Sequence, residues 1–407
     1  MSKLLLIKLL TIIIGIFALS CTLIFFSPLK NIYDKKIETG GTVAVNSKSG
    51  TVSDNKASSS GQRNNPEDEV DKIVDSLTPE QMAGQMLMVG FDGLKPDYYI
   101  SRMINLRYVG GVVLYGRNIK TKGQVTELDD QLQKMSLAKD NLPLFISVDQ
   151  EGGLVDRFKG LISETPDPPN LGKLSADEVS NYALKTGEEL KPMGINVNLA
   201  PVLAVAGSNS IMLGRAYGDD PNIVAKTAVA AITGYKNSGI IPCAKHFPGL
   251  GLSLQDTHTT STVINSSLDA LNKRDLIPFR AAIQDGVEMI MVNHAIYPAL
   301  DPQNPASLSY TIQTDILRDK LGYKGLILTD DLEMAAAEAE GSVGQNAVKA
   351  VKAGADIVLV CQTPEKQKEA YDALLAAIKS GEISQQRLKD TMRRIVTLKL
   401  REQRIMG

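Results

Sequence analysis

The sequence predicts a single (β/α)8 barrel, and three observations carry that expectation. Short apolar runs alternate with longer amphipathic ones from about residue 70 to the end of the chain. The short runs number eight, and most are near-continuously apolar, as parallel strands are when covered on one side and packed inside on the other. No break in composition after residue 67 suggests a second folded domain. A doubly wound open sheet is the competing arrangement.

The eight runs are "QMLMVGF" (85–91), "GGVVLYG" (110–116), "LPLFISVD" (142–149), "INVNLAPV" (195–202), "IPCAKHF" (241–247), "VEMIMVNH" (287–294), "GLILTDD" (325–331) and "ADIVLVC" (355–361). Between them lie helical patterns. "SADEVSNYALKTGEELKPMG" opens on Ser175, an N-cap residue type, and closes on Gly194; "DPNIVAKTAVAAITGYKNSG" does the same with Asp220 and Gly239. The stretches 266–286, 313–323 and 346–354 follow the same grammar, and residues 383–403 form a strongly amphipathic final helix.

Before the barrel, residues 1–30 carry Lys3 and Lys8 and then an unbroken apolar run from Leu9 to Phe26. That run is long enough to span a bilayer, and its flanking lysines favour a cytoplasmic N-terminus. It reads either as an uncleaved signal anchor or as a lipoprotein signal cut before Cys21. Both place the rest of the chain outside the cytoplasm, tethered to a membrane. Residues 31–66 are rich in Gly, Ser, Asn, Asp and Lys and read as a flexible linker. Cys243 and Cys361 end two apolar runs and are expected as buried thiols, with a disulfide between them the alternative. The 407 residues carry a formal net charge of −2 with no long basic run beyond the N-terminus, which argues against a nucleic-acid partner.

In a barrel of this kind, polar residues at the C-terminal ends of strands are candidate site residues. Asp149 ends the third run, Lys245 and His246 the fifth, His294 the sixth, and Asp330 and Asp331 the seventh. Past Lys245 and His246, "FPGLG" enforces a sharp turn, and "DTH" follows four residues later. Asp256 and His258 share one side of an extended segment. A carboxylate beside an imidazole fixes its tautomer and raises its basicity, which makes the pair a candidate general acid/base on a loop. The alternatives are a hydrogen-bonded surface pair or a metal site. Strand alternation turns Asp331 away from Asp330's side and leaves it a supporting role at best.

"KHFPGLG" with "DTH", together with "SVDQEGGLVDRF", "LAPVLAV", "LGRAYGDDP", "VNHAIYPALDPQNPASLS" and "GLILTDDLEM", resembles the signature of glycoside hydrolase family 3, in its β-N-acetylglucosaminidase (NagZ-like) branch. The likeness runs from about residue 70 to 402. It implies a retaining exo-β-N-acetylglucosaminidase acting on cell-wall fragments or related glycans. Asp330 would be the nucleophile, and His258 assisted by Asp256 the acid/base. Asp149, Arg157, Arg215, Lys245 and His246 would hold the sugar hydroxyls. Neither cofactor nor metal is called for by that chemistry, and the partner is a carbohydrate. A β-glucosidase or β-xylosidase of the same family and a non-catalytic sugar-binding surface protein are the alternatives. Leu154, Leu250 and Ala204 depart from the family's usual residues, so fine specificity is expected to differ.

Overall fold

The computed structural model describes residues 66–138, 141–255 and 260–406. The expected membrane segment, all but the last residue of the expected linker, and the Asp256–His258 pair lie outside those residues.

All eight expected strands form: β1 (Leu87–Val89), β2 (Gly111–Leu114), β3 (Phe145–Val148), β4 (Val197–Asn198), β5 (Ile241–Phe247), β6 (Met289–Val292), β7 (Leu326–Asp331) and β8 (Ile357–Val360). Every neighbouring pair is parallel, and the strands close in the order β1-β8-β7-β6-β5-β4-β3-β2. Because β1 pairs with both β2 and β8, no open edge remains, and the doubly wound alternative falls.

The strands are shorter than the apolar runs because the ends of several runs do other work. Gln85, for example, ends a helix, and its amide donates to Tyr108 O and Asn141 Oδ1.

Among the described residues ten α-helices of seven residues or more surround the strands: α1 (Pro66–Ser76), α2 (Pro79–Gln85), α3 (Tyr98–Arg107), α4 (Lys122–Leu137), α5 (Ala176–Leu190), α6 (Pro221–Ser238), α7 (Leu276–Gln284), α8 (Val343–Ala353), α9 (Pro364–Ser380) and α10 (Gln385–Met406). A wider helical segment, Thr311–Lys320, lies between β6 and β7. The caps expected from the sequence are present. Ser175 Oγ accepts from Glu178 N while the Glu178 carboxylate accepts from Ser175 N. Asp220 caps α6, and Gly239 ends it at φ 77°, a conformation that costs glycine nothing. Among the described residues no helix is long and apolar enough to cross a membrane.

The strands' apolar side chains fill the barrel and the layer beneath the helices. Cys243 and Cys361 are buried free thiols, as expected. At the N-terminal end of the barrel, Lys399 of α10 reaches under the floor, donates to Gln85 Oε1 and Gly110 O at 2.6 and 2.7 Å, and lies 4.8 Å from the centre of the Phe145 ring. Nearby, the fully buried Asp356 pairs with Arg318, Arg387 and Arg394. Its carboxylate also accepts from Thr391 Oγ1 and Ile327 N. With three guanidinium groups around it, Asp356 stays ionised far below the usual carboxylate range despite the penalty of burial.

Candidate active site

At the opposite end of the barrel the strand ends enclose a cleft of about 270 Å³, at the small end of ligand pockets. Its floor is apolar, formed by Val113, Leu199, Met291 and Leu359, and its walls carry Tyr115, Asp149, Glu151, Arg157, Arg215, Lys245, His246, Asp330 and Asp331. Six of the eight site residues expected from sequence thus meet in one place; the other two, Asp256 and His258, lie outside the described residues.

Two strands contribute two adjacent residues each, which strict strand alternation forbids. The reason is register. Along β5, Lys245 and Phe247 pair with consecutive residues Met291 and Val292 of β6. Along β7, Leu328 and Asp331 span three steps while their β8 partners Ile357 and Leu359 span two. Each offset leaves one extra residue, a bulge that re-aims side chains. Lys245 with His246, and Asp330 with Asp331, therefore both line the cleft. The alternation argument that turned Asp331 away from the site is corrected by this bulge.

The β3 end is held rigidly. Asn198 of β4 accepts from Gln150 N and donates to Gln150 O. Gln150 in turn accepts from Arg157 N and Phe158 N and donates to Asp156, closing the hairpin 150–156. Glycines at 152 and 153 turn that hairpin at φ 88° and 61°. Next to Gly153 there is also no room for a side chain, since a Cβ there would sit 2.8 Å from Asp167 Cβ. The fixed hairpin presents Glu151, a residue the sequence reading missed.

Glu151 is the centre of the charge network. Arg215 donates to both of its carboxylate oxygens, at 2.8 and 2.7 Å, in the two-pronged geometry that suits guanidinium. Lys245 Nζ lies 2.7 Å from Glu151 and 2.5 Å from Asp149. Burial opposes the charge on Glu151, but Lys245 and Arg215 outweigh it and hold the pKa at about 2. Burial opposes the charge on Lys245 as well, and Asp149 and Glu151 reverse it, so the ammonium pKa is raised. Arg157 reaches Asp149 at 4.0 Å and faces the Tyr115 ring at 5.7 Å. The signal available in the sequence was charge balance: Lys245 at a strand end and Arg215 from the loop after β4, assigned to one site, need more than one carboxylate.

Asp330 closes the other side of the cleft. One carboxylate oxygen accepts from Asp331 N at 2.9 Å, and the other lies 3.8 Å from His246 Nε2. Asp331 Oδ1 accepts from Glu333 N and Cys361 N. Burial, helped by the charges of Glu333 and Asp330, raises the Asp331 pKa to about 7. His294, a strand-end candidate, does not line the cleft. It is buried, its Nε2 bonded to Asp331 O at 2.9 Å and its Nδ1 to Ser307 Oγ at 2.6 Å, so it clamps the bulge from behind.

This arrangement offers a dense set of donors and acceptors for a polyhydroxylated ligand beside one carboxylate on a rigid strand. The sequence profile of the glycosyl hydrolase family 3 N-terminal domain matches residues 78–398. The chain belongs to glycoside hydrolase family 3. It is a glycoside hydrolase of the family's β-N-acetylhexosaminidase branch. A β-hexosaminidase of Nitrosomonas eutropha is 36% identical over 301 residues, 71% of this chain and 85% of that one. A family 3 β-N-acetylglucosaminidase structure from Paenibacillus sp. str. FPU-7 superposes with a TM-score of 0.79 at 38% identity, over 81% of this chain and 64% of that longer one. A β-N-acetylhexosaminidase structure from Beutenbergia cavernae gives a TM-score of 0.75 at 33% identity, over 79% and 98%.

Proposed function

We propose that this glycoside hydrolase is a retaining exo-β-N-acetylglucosaminidase that removes terminal N-acetylglucosamine from cell-wall fragments or related glycans. The observation that carries the reading is Asp330, a carboxylate on a barrel strand in a cleft whose opposite wall is the Asp149–Lys245–Glu151–Arg215 network. The network holds the sugar's hydroxyls and fixes its orientation. Asp330 then attacks the anomeric carbon, and the leaving oxygen departs with a proton from His258, whose imidazole Asp256 orients. In the second step His258 takes a proton from water, which displaces Asp330 and restores the enzyme. The net stereochemistry is retention. Burial raises the Asp331 pKa to about 7, so near neutrality Asp331 is partly protonated, which limits the negative charge beside Asp330. The names of the relatives support the N-acetylhexosaminide as substrate. The small volume of the cleft favours a single terminal sugar.

The test is a chromogenic β-N-acetylglucosaminide followed by NMR. The β-anomer should form first, and mass spectrometry with a slow fluorinated substrate should place the label on Asp330. A first-formed α-anomer, or undiminished activity in Asp330→Asn, would remove the mechanism. Adding phosphate and looking for the sugar 1-phosphate distinguishes phosphorolysis from hydrolysis.

We further propose that residues 1–30 hold the enzyme at the outer face of a membrane. A mature chain beginning at a lipidated Cys21, found by mass spectrometry of the membrane-extracted protein, would identify a lipid anchor, and an intact segment 1–30 a spanning one.

A further inference from the structure

The rim of the cleft is polarised. On the side of β7, β8, β1 and β2 it is charged: Asp92 pairs with Arg117, and Lys366 with Glu338. On the side of β3, β4 and β5 it carries large aliphatic side chains exposed to solvent: Leu154, Ile211, Leu213, Leu252 and Leu254, with Leu154 and Leu254 at 77% and 72% exposure. The three loops that bear them touch in sequence around the barrel. Leu154 Cδ1 lies 2.6 Å from where a Cβ on Gly214 would sit, so the hairpin tip rests on the β4 loop. Ile211 N donates to Ser253 O at 3.1 Å, so the β4 loop rests on the β5 loop between Leu252 and Leu254. Exposed aliphatic residues scattered singly need no explanation, but a contiguous group does.

The apolar arc is continuous with the cleft through the same three loops. Glu151, Val155 and Arg157 line the cleft on either side of Leu154, Arg215 does so two residues after Leu213, and Lys245 and His246 precede the segment bearing Leu252 and Leu254. The cleft itself is small, so whatever follows the first sugar lies outside it. On the function proposed above, the leaving group departs opposite the nucleophile, and Asp330 stands on β7, across the cleft from the network carried by the β3, β4 and β5 ends. The leaving half of the substrate therefore emerges toward the apolar side of the rim.

We infer that Leu154, Ile211, Leu213, Leu252 and Leu254 form a leaving-group subsite for apolar bulk: the enzyme prefers N-acetylglucosaminides whose leaving half presents an aliphatic or aromatic surface over those whose leaving half is uniformly hydroxylated. Leu154, on its well-anchored hairpin, is the main specificity-determining residue of this arc.

The inference rests on the proposed activity, and the experiment separates the two. Phenyl, 4-butylphenyl and 4-octylphenyl β-N-acetylglucosaminides have leaving groups of nearly equal acidity and increasing apolar area. The full-length wild-type enzyme should show kcat/KM rising roughly tenfold from phenyl to 4-octylphenyl, mostly through KM, as a few methylenes leave water. The double variant Leu154→Ser, Leu213→Ser should lose that rise and still cleave the phenyl glycoside within about twofold of wild type. A flat series in wild type with good phenyl cleavage overturns the subsite while leaving the proposed activity intact. No cleavage of any member overturns the activity itself. An unaltered series in the variant, with weaker binding to phosphatidylglycerol vesicles or a lost dimer in sedimentation, assigns the arc to a lipid surface or a second copy and also overturns the subsite. Leu154→Asn alone, a milder change, should lower the rise by about threefold and guards against misfolding of the double variant.

Discussion

The two ends of the barrel each bury a cluster of carboxylates and cations, and the clusters differ in what is left over. At the N-terminal end Asp356 is saturated: three arginines, a threonine hydroxyl and a backbone amide fill both of its oxygens. A cleft of about 490 Å³ beside it is larger than the candidate active-site cleft, but Arg393, Arg394 and Arg401 in its lining are each tied to a carboxylate: Asp71, Asp356 and Glu288. At the C-terminal end Lys245 and Arg215 are paired too, yet they face an open cleft with Asp330, Asp331, His246 and Tyr115 around it. Buried charge alone does not mark a site. Charge that is held in place on one side and open to a ligand on the other does.

This contrast can be broken by mutation, with the largest effect expected at Asp330, the proposed nucleophile. Asp330→Asn should lower kcat/KM by at least about 10³-fold, with an unchanged circular dichroism spectrum and melting temperature. Asp356→Ala should do the reverse. It strands three arginines and should cost about 3–5 kcal/mol in urea unfolding, while kcat/KM of the folded enzyme stays within about twofold. Equal loss of activity in both variants would erase the distinction between the ends.

A third prediction concerns pH. Asp331 has a folded-state pKa of about 7, raised by burial and by its acidic neighbours. The unfolded chain releases this proton near pH 4, so folding binds a proton between these values, and stability falls as pH rises through that window. Asp331→Asn should remove this slope, on the order of 2–4 kcal/mol between pH 4 and 8, measured by urea unfolding at each pH.

The smallest effect is expected far from both ends. Asp129 of α4 is buried with neither carboxylate oxygen hydrogen-bonded, and burial alone raises its pKa well above the usual range. Its contribution has the same sign as that of Asp331. Asp129→Leu should therefore stabilise the protein by about 1–2 kcal/mol at pH 8, with less gain at pH 5.

Much of this molecule was legible in its sequence, and the parts that were not share a physical cause. The strands were legible because parallel strands in a barrel are apolar on both faces, and their runs stand out against amphipathic helices. The caps at Ser175, Asp220 and Gly239 were legible because capping is local. Asp149, Lys245, His246 and Asp330 could be read from their places at strand ends. Arg157 and Arg215 carry no such signal and came only from the resemblance. Glu151 was hidden because its role depends on Arg215 and Lys245, which are distant in the chain. Asp331 was misplaced because a bulge is a relation between two strands, and periodicity within one strand cannot show it. His294 was over-valued because it lies past the end of β6 and turns onto Ser307 Oγ and Asp331 O, partners its own segment does not reveal.

The bulges on β5 and β7 make residue counting as important to this enzyme as residue identity. Deleting one residue from either strand would restore regular pairing and give a more uniform sheet. It would also turn one member of Lys245–His246 or Asp330–Asp331 out of the cleft. At these two strands, sheet regularity and catalysis favour different lengths of chain, and the sequence carries the longer.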